Sequence, residues 1–162
     1  MKMKSLNDLF VHELRDVFNA ELQITKALPK MAEKASNKNL VKAFEAHLKE
    51  TEQHVVRLKQ VFELMGLDAK GEKCKAMEGI IREGQDWMKE NAEPEVMDAG
   101  LIASAQRVEH YEIAAYGTLC TYAKNLGLTD VLHLLQQNLD EEKSTDTRLS
   151  VIAETSVNKK AI

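Results

Sequence analysis

The stretch Val108-Glu109-His110-Tyr111-Glu112-Ile113-Ala114-Ala115-Tyr116-Gly117-Thr118 has apolar side chains at helical spacing. Extended in both directions, that spacing draws a stripe of Ile102, Ala105, Ile113, Tyr116 and Leu119. Glu109 and Glu112 fall on the same stripe, one turn apart. A helix buries such a stripe against its neighbours, so the pattern aims two carboxylates at a core. Whether that core is meant to hold acids depends on what the other helices place opposite them.

Punctuation on either side sets the helix ends. Glu93-Pro94-Glu95 starts this helix, because proline suits the first turn and acids suit the positive end of the dipole, and Gly127 stops it near Leu126. Thr129 then caps a helix running to about Ser156, with a short frayed tail beyond. Towards the N-terminus, Ser5 and Asp8 open a long helix in which Pro29 is expected to produce a kink. Ser36-Asn37-Lys38-Asn39 breaks it, and a second long helix follows up to Gly66, a residue suited to a left-handed helix end. A shorter amphipathic helix at about 72–91, carrying Met77, Ile80, Ile81, Trp87 and Met88 and weakened by Gly79 and Gly84, links the halves. With 2 Pro and 7 Gly in 162 residues, the composition favours helix throughout. The expected fold is all-α and a single domain over 1–162. It is an up-down bundle of four long helices at about 5–35, 37–65, 94–126 and 129–156, with the short helix in the connection between the pairs.

Every long helix repeats the interruption. The first stripe reads Phe10, Leu14, Val17, Glu21, Ile24, Leu28, Met31, and the second Leu40, Phe44, His47, Glu50 with Thr51, His54, Leu58, Val61, Met65. The fourth reads Leu132, Leu135, Leu139, Glu142, Asp146, Leu149, Ile152. If the helices pack antiparallel, Glu21, Glu50, Glu109, Glu112, Glu142 and Asp146 meet at one level with His47 and His54. An unpaired buried carboxylate costs several kcal/mol, so such a layer would exceed the ~5–15 kcal/mol stability of a domain unless it were neutralised. Lys and Arg lie mostly off these stripes, with Arg57 the nearest candidate. Two metal ions supply the missing charge, and oxygen-rich ligands with one or two imidazoles suit iron first and manganese second. Tyr116 lies one turn past Glu112, within reach of a ligand carboxylate. Glu141, rotated about 100° from Glu142, reads as solvated. His12, His110 and His133 read as surface residues.

Other classes recede. The net charge of −4 is spread without a basic stripe, so nucleic acid is not an expected partner. No uncharged apolar run approaches the ~18 residues of a spanning helix. Met1-Lys2-Met3-Lys4-Ser5 has no apolar signal region, so a cytoplasmic location is expected. Cys74 and Cys120 are too far apart for a zinc or redox pair motif.

The stripes resemble the ferritin-like superfamily, and Glu109-x-x-Glu112 resembles the rubrerythrin arrangement within it. More closely, His47-Leu48-Lys49-Glu50-Thr51, the Val108–Thr118 stretch and Glu141-Glu142-Lys143-Ser144-Thr145-Asp146 resemble the YciE/YciF family of bacterial stress proteins across essentially the whole chain. That resemblance implies a rubrerythrin-like bundle, a homodimer and induction under stress, and it implies no particular reaction. The usual Glu-x-x-His ligand spacing is not kept. Gln53 and Thr145 stand where histidines would be expected, and His54 and Asp146 follow one residue later, which gives a more oxygen-rich set.

The expected metal ligands are therefore Glu21, Glu50, His54, Glu109, Glu112, Glu142 and Asp146, with Glu50 and Glu142 bridging and His47 and Tyr116 as supporting residues. The leading function is a two-metal, di-iron site that reacts with O₂ or peroxide in stress defence. The alternative is a helical stress protein that acts by association, its metal site structural or vestigial.

Overall fold

Ser5 opens the first helix with a capping box: its hydroxyl accepts from the Asp8 amide at 3.2 Å, and the Asp8 carboxylate accepts from the Ser5 amide at 3.0 Å. The structure, a computed structural model, describes residues 3–162. Met1 and Lys2, which begin the segment read as lacking a signal region, lie outside the described residues. From Ser5, α1 (Leu6–Lys34) continues unbroken through Pro29, which faces solvent. Asn37 caps α2 (Lys38–Leu64) by accepting from the Asn39 and Leu40 amides. Gly66 at φ 66° and Gly127 at φ 71° sit just past the ends of α2 and α4, where a left-handed residue is required.

Helix α3 (Lys75–Trp87) is shorter at both ends than the sequence suggests and starts at Cys74, whose sulfur accepts from the Met77 amide. Helix α4 (Pro94–Asn125) has Pro94 in its first turn. Helix α5 (Thr129–Ile152) corrects a capping assignment, since Thr129 is its first residue and Leu128 stands at the cap without a side-chain bond. Its far end differs too. A π-helical segment, Ala153–Val157, leads into α6 (Asn158–Lys160), so the chain stays helical past Ser156 and buries Val157 instead of fraying.

Helix α1 packs on α2 and α4, and α5 packs on the same two. The cross-helix bonds fix direction. Ser36, just past α1, meets Asp98 early in α4, and Arg57 of α2 meets Glu141 of α5 while Glu50 meets Arg148. Every long helix is therefore antiparallel to both neighbours, while α2 and α4, consecutive around the short helix, run parallel on a diagonal. The connection must travel the length of the bundle, and α3 lies along it against α4 and α1.

Asp98 is a buried acid that the sequence does not single out. Its carboxylate accepts from the Ser36 amide at 2.8 Å, the Asn37 amide at 2.9 Å and the Ser36 hydroxyl at 2.6 Å, which ties the α1–α2 turn to α4. Gly100 lets α3 and α4 approach. A Cβ there would lie 2.0 Å from the Trp87 ring, whose indole N–H donates to the Met97 carbonyl at 3.2 Å. Gly100→Ala is expected to cost about 1–3 kcal/mol by overpacking. Thermal unfolding followed by the fluorescence of Trp87, the one tryptophan, measures it, and an unchanged Tm would contradict the contact.

The core forms two apolar blocks. One gathers Phe10, Leu14, Phe62, Leu119 and Leu135, and the other Ile24, Phe44, Leu101, Ile102 and Leu149. Between these levels in all four long helices lie the polar side chains Glu21, His47, His54, Glu109, Glu112 and Glu142, all buried.

Candidate metal centre

Each long helix delivers its polar residue by staying in phase with its apolar stripe, so Glu21 follows Val17 and precedes Ile24 in the buried seam of α1. Two groups result. His47, Glu109, Glu112 and Glu142 each offer a ligand atom within 4.8 Å of the others, and so do Glu21, His54 and Glu142. Glu142 belongs to both and stands at the junction.

The two histidines are held alike. The His54 Nδ1 lies 3.1 Å from Glu21 Oε1 and 3.0 Å from Glu142 Oε1, while its Nε2 lies 2.8 Å from Glu141 Oε2. Glu141 is gripped by Arg57 through both guanidinium nitrogens, at 2.7 and 2.8 Å. The His47 Nε2 lies 3.1 Å from Glu109 Oε1, while its Nδ1 lies 3.5 Å from Glu50 Oε2. Glu50 in turn accepts from Thr145 at 3.0 Å and lies 3.4 Å from Arg148. Each ring thus points one nitrogen into the cluster and the other at a partly exposed carboxylate backed by arginine. An outer carboxylate of this kind fixes the tautomer and orientation of a metal-ligating histidine.

The inner carboxylates have no such arginine. Among the described residues, Glu21 Oε2, Glu109 Oε2 and both oxygens of Glu112 and Glu142 are buried without a hydrogen-bond partner, as is His47 Nε2; the contacts of His47 with Glu109 and of His54 Nδ1, which bonds Glu21, with Glu142 are close but make no further bond. A buried polar atom without a partner costs about 1–3 kcal/mol, and more if charged, so this convergence of lone pairs fits a cation. The chemistry of the donor set fits as well: four carboxylates and two imidazoles match two divalent ions in charge, and the oxygen-rich balance is foreign to structural zinc.

Proton affinities follow the crowding. Burial, then the neighbouring carboxylates of Glu142, Glu21 and Glu109, raise Glu112 well above the ordinary range. Burial, with Glu109 close by, raises Glu142 to about 8 against the pull of His54. Burial works against a charge on His54, yet Glu21 and Glu142 carry it up to about 10, and Glu109 and Glu50 raise His47 in the same sense. The closeness of His47, helped by Thr145 and Arg148, holds Glu50 down at about 2 against its burial. The shifts of Glu112, Glu142, His47 and His54 all favour the protonated group.

Of the residues expected as ligands, Glu21, His54, Glu109, Glu112 and Glu142 come together, and His47 joins them as a full member of one group. Glu50 and Asp146 stand apart. Glu50 serves His47 from outside, and Asp146 is turned to the bundle edge, accepting from Gln106 at 3.2 Å with His110 at 3.5 Å. The reason is helical phase: the buried seam of α5 runs through Leu135, Asn138, Leu139, Glu142, Thr145 and Leu149, so Thr145 faces inward and Asp146 lies 100° off. Tyr116 is fully buried and donates to Glu21, while Asn138 donates to the Tyr116 oxygen at 3.1 Å and accepts from Arg57 at 2.9 Å. Asn138 was discernible as a polar residue three after Leu135. Glu141 is not solvated as its position beside Glu142 suggests, and only the pairing of α2 with α5 reveals its role.

With that geometry in place, comparisons with known proteins converge. The family described as a domain of unknown function, DUF892, matches residues 5–162. Protein YciF of Escherichia coli K12 is 49% identical over 162 residues, covering 99% of this chain and 98% of that one. The crystal structure described as the E. coli stress protein YciF matches with a TM-score of 0.93 at 48% identity, over 97% of this chain and 99% of that one. A structure named YcfI from Rhodopseudomonas palustris, described as a candidate structural protein, matches with a TM-score of 0.92 at 45% identity, over 94% and 97%.

Proposed function

The chain belongs to the DUF892 family, and we propose that its buried cluster binds two metal ions, iron before manganese, and reacts with O₂ or peroxide in a cell under stress. The observation that supports this most is the set of inner carboxylate oxygens left without partners in a layer whose outer carboxylates Glu50 and Glu141 are backed by arginine. The description of one relative as a stress protein supports that setting.

Bound iron would supply electrons to the oxidant and an open position for it. The chain's own residues prepare for that. Glu142 offers one oxygen to each group, His47 and His54 each present an oriented lone pair once deprotonated, and Tyr116 holds Glu21 from behind. The apolar blocks above and below keep bulk water from the layer. The test is metal analysis of protein purified without chelator, then anaerobic Fe(II) loading followed by O₂ or peroxide. About two ions per chain with accelerated Fe(II) oxidation is expected. Fewer would refute the two-metal site, and two ions without oxidation would favour the structural role that the description of the R. palustris protein suggests. The proposal includes a cytoplasmic homodimer, which size measurement in solution checks and which leaves no room for a storage cage.

Because Glu50 touches the cluster only through His47, Glu50→Gln is expected to weaken metal binding about 10–100-fold while leaving the stoichiometry at two. Titration with Fe(II) or Mn(II) distinguishes this from loss of a ligand, which would remove an ion outright.

A further inference from the structure

A cavity of about 30 Å³ lies between α1, α3 and α4. Exposed Lys30 and half-buried Gln85 stand at its rim, Ile24, Ile81, Met88 and Val108 form its walls, and Glu109 is the one member of the metal cluster that lines it. Glu109, whose Oε2 is buried without a hydrogen-bond partner, stands at once in the lining of this cavity and in the cluster, so the cavity abuts the metal layer. Its volume suits roughly two water-sized molecules, or one diatomic gas. Its walls discriminate as well. Dioxygen gives up no hydrogen bonds on entering, whereas hydrogen peroxide would find few polar partners in the lining, such as Ser104, and would lose about 1–3 kcal/mol for each donor or acceptor left unpaired.

Resting on the two-metal reading above, we propose that this cavity between α1, α3 and α4 is the port through which dioxygen, in preference to peroxide, reaches the ion beside Glu109. It also gives the connecting helix a task. Helix α3 forms one wall, and Gly84 faces Ser104 across the gap, where a Cβ would meet the serine at 3.5 Å, an ordinary contact. A Cβ at position 84 is thus accommodated, and Gly84→Leu adds apolar bulk at the lining of the cavity.

Methyl relaxation of the metal-free protein under pressurised dioxygen, which is paramagnetic, tests the port apart from any metal. Methyls of Ile24, Ile81 and Val108 are expected to relax several-fold faster than Val61 and Leu135 in the other apolar block. Gly84→Leu should abolish the difference. Gly79→Leu, on the same helix with nothing within 4 Å of its Cβ and off the cavity, should leave it intact. No enhancement in the wild type, or one that survives in Gly84→Leu, overturns the port. In Fe(II)-loaded protein, Gly84→Leu should bind the same metal but react several-fold more slowly with O₂ and within twofold of wild type with peroxide. Equal slowing of both overturns the preference for dioxygen. A wild type that admits dioxygen at these methyls but binds no metal overturns the two-metal reading, and the proposal falls with it. Bound metal without methyl enhancement overturns the port alone.

Discussion

Glu142→Gln is expected to yield a folded protein that holds no tightly bound metal. Glu142 is the side chain shared by both ligand groups, so its loss leaves His47 with Glu109 and Glu112 on one side and only Glu21 with His54 on the other. Losing a residue that merely orients a ligand costs about 10–100-fold in affinity, and losing a direct ligand to two ions must cost more. Metal analysis after dialysis is expected to fall from about two ions per chain to none. The same substitution should stabilise the metal-free protein near pH 8. Glutamine keeps the shape of the side chain but removes a buried carboxyl that resists ionisation up to about 8 and crowds Glu109 and Glu112. A variant that retained two ions at wild-type affinity would remove Glu142 from the site. One that failed to fold would show that the carboxyl, not the metal, orders the layer.

The stripes carried most of the fold, because a helix that must bury one face writes that face into its spacing. Glu21 in the seam of α1 and the Glu109–Glu112 pair in α4 could be placed from sequence because the apolar residues around them leave a single phase. The fourth helix was harder. Glu142 and Asp146 both satisfy a three-or-four spacing, and only packing against α2 shows that the buried seam passes through Thr145, turning Asp146 to the edge. The place of Glu50 was hard to read for a similar reason, since Thr51 beside it takes the core position and leaves Glu50 about a quarter exposed. The roles of Glu141, Arg57 and Arg148 come from pairs more than 80 residues apart, to which no local pattern points. The π-helical segment after Ile152 likewise arises where Val157 is drawn into the core, a tertiary demand laid on an otherwise unmarked polar tail.

Metal-free protein should lose stability as the pH rises from about 5 to 9, and bound metal should reverse that trend. Glu142 keeps its proton up to about 8 in the folded chain against 4.5 for a free carboxyl, so between those values the folded state binds the extra proton. Stability is then greatest below the lower value and declines as pH climbs through the higher one. His54, raised from 6.5 to about 10, acts in the same direction over a higher window: its contribution is complete below 6.5 and disappears as pH rises through about 10. Glu50, lowered to about 2, acts oppositely, and its contribution is lost only as pH falls from 4.5 towards 2. The optimum of the metal-free form should therefore lie near pH 5. Each pH unit in which the folded state holds one extra proton costs about 1.4 kcal/mol, so a loss of some 3 kcal/mol by pH 8, or roughly 10 °C in Tm, is a modest expectation for a cluster that shares its protons. Metal ions need the same groups deprotonated, so loading releases protons and its stabilising effect grows over the range where the metal-free form weakens. Thermal scans from pH 4 to 9, with chelator and with Mn(II), measure both trends, and proton release on titration gives an independent count. A metal-free Tm that rose steadily from pH 5 to 8 would contradict the raised proton affinity that burial and crowding give Glu112 and Glu142.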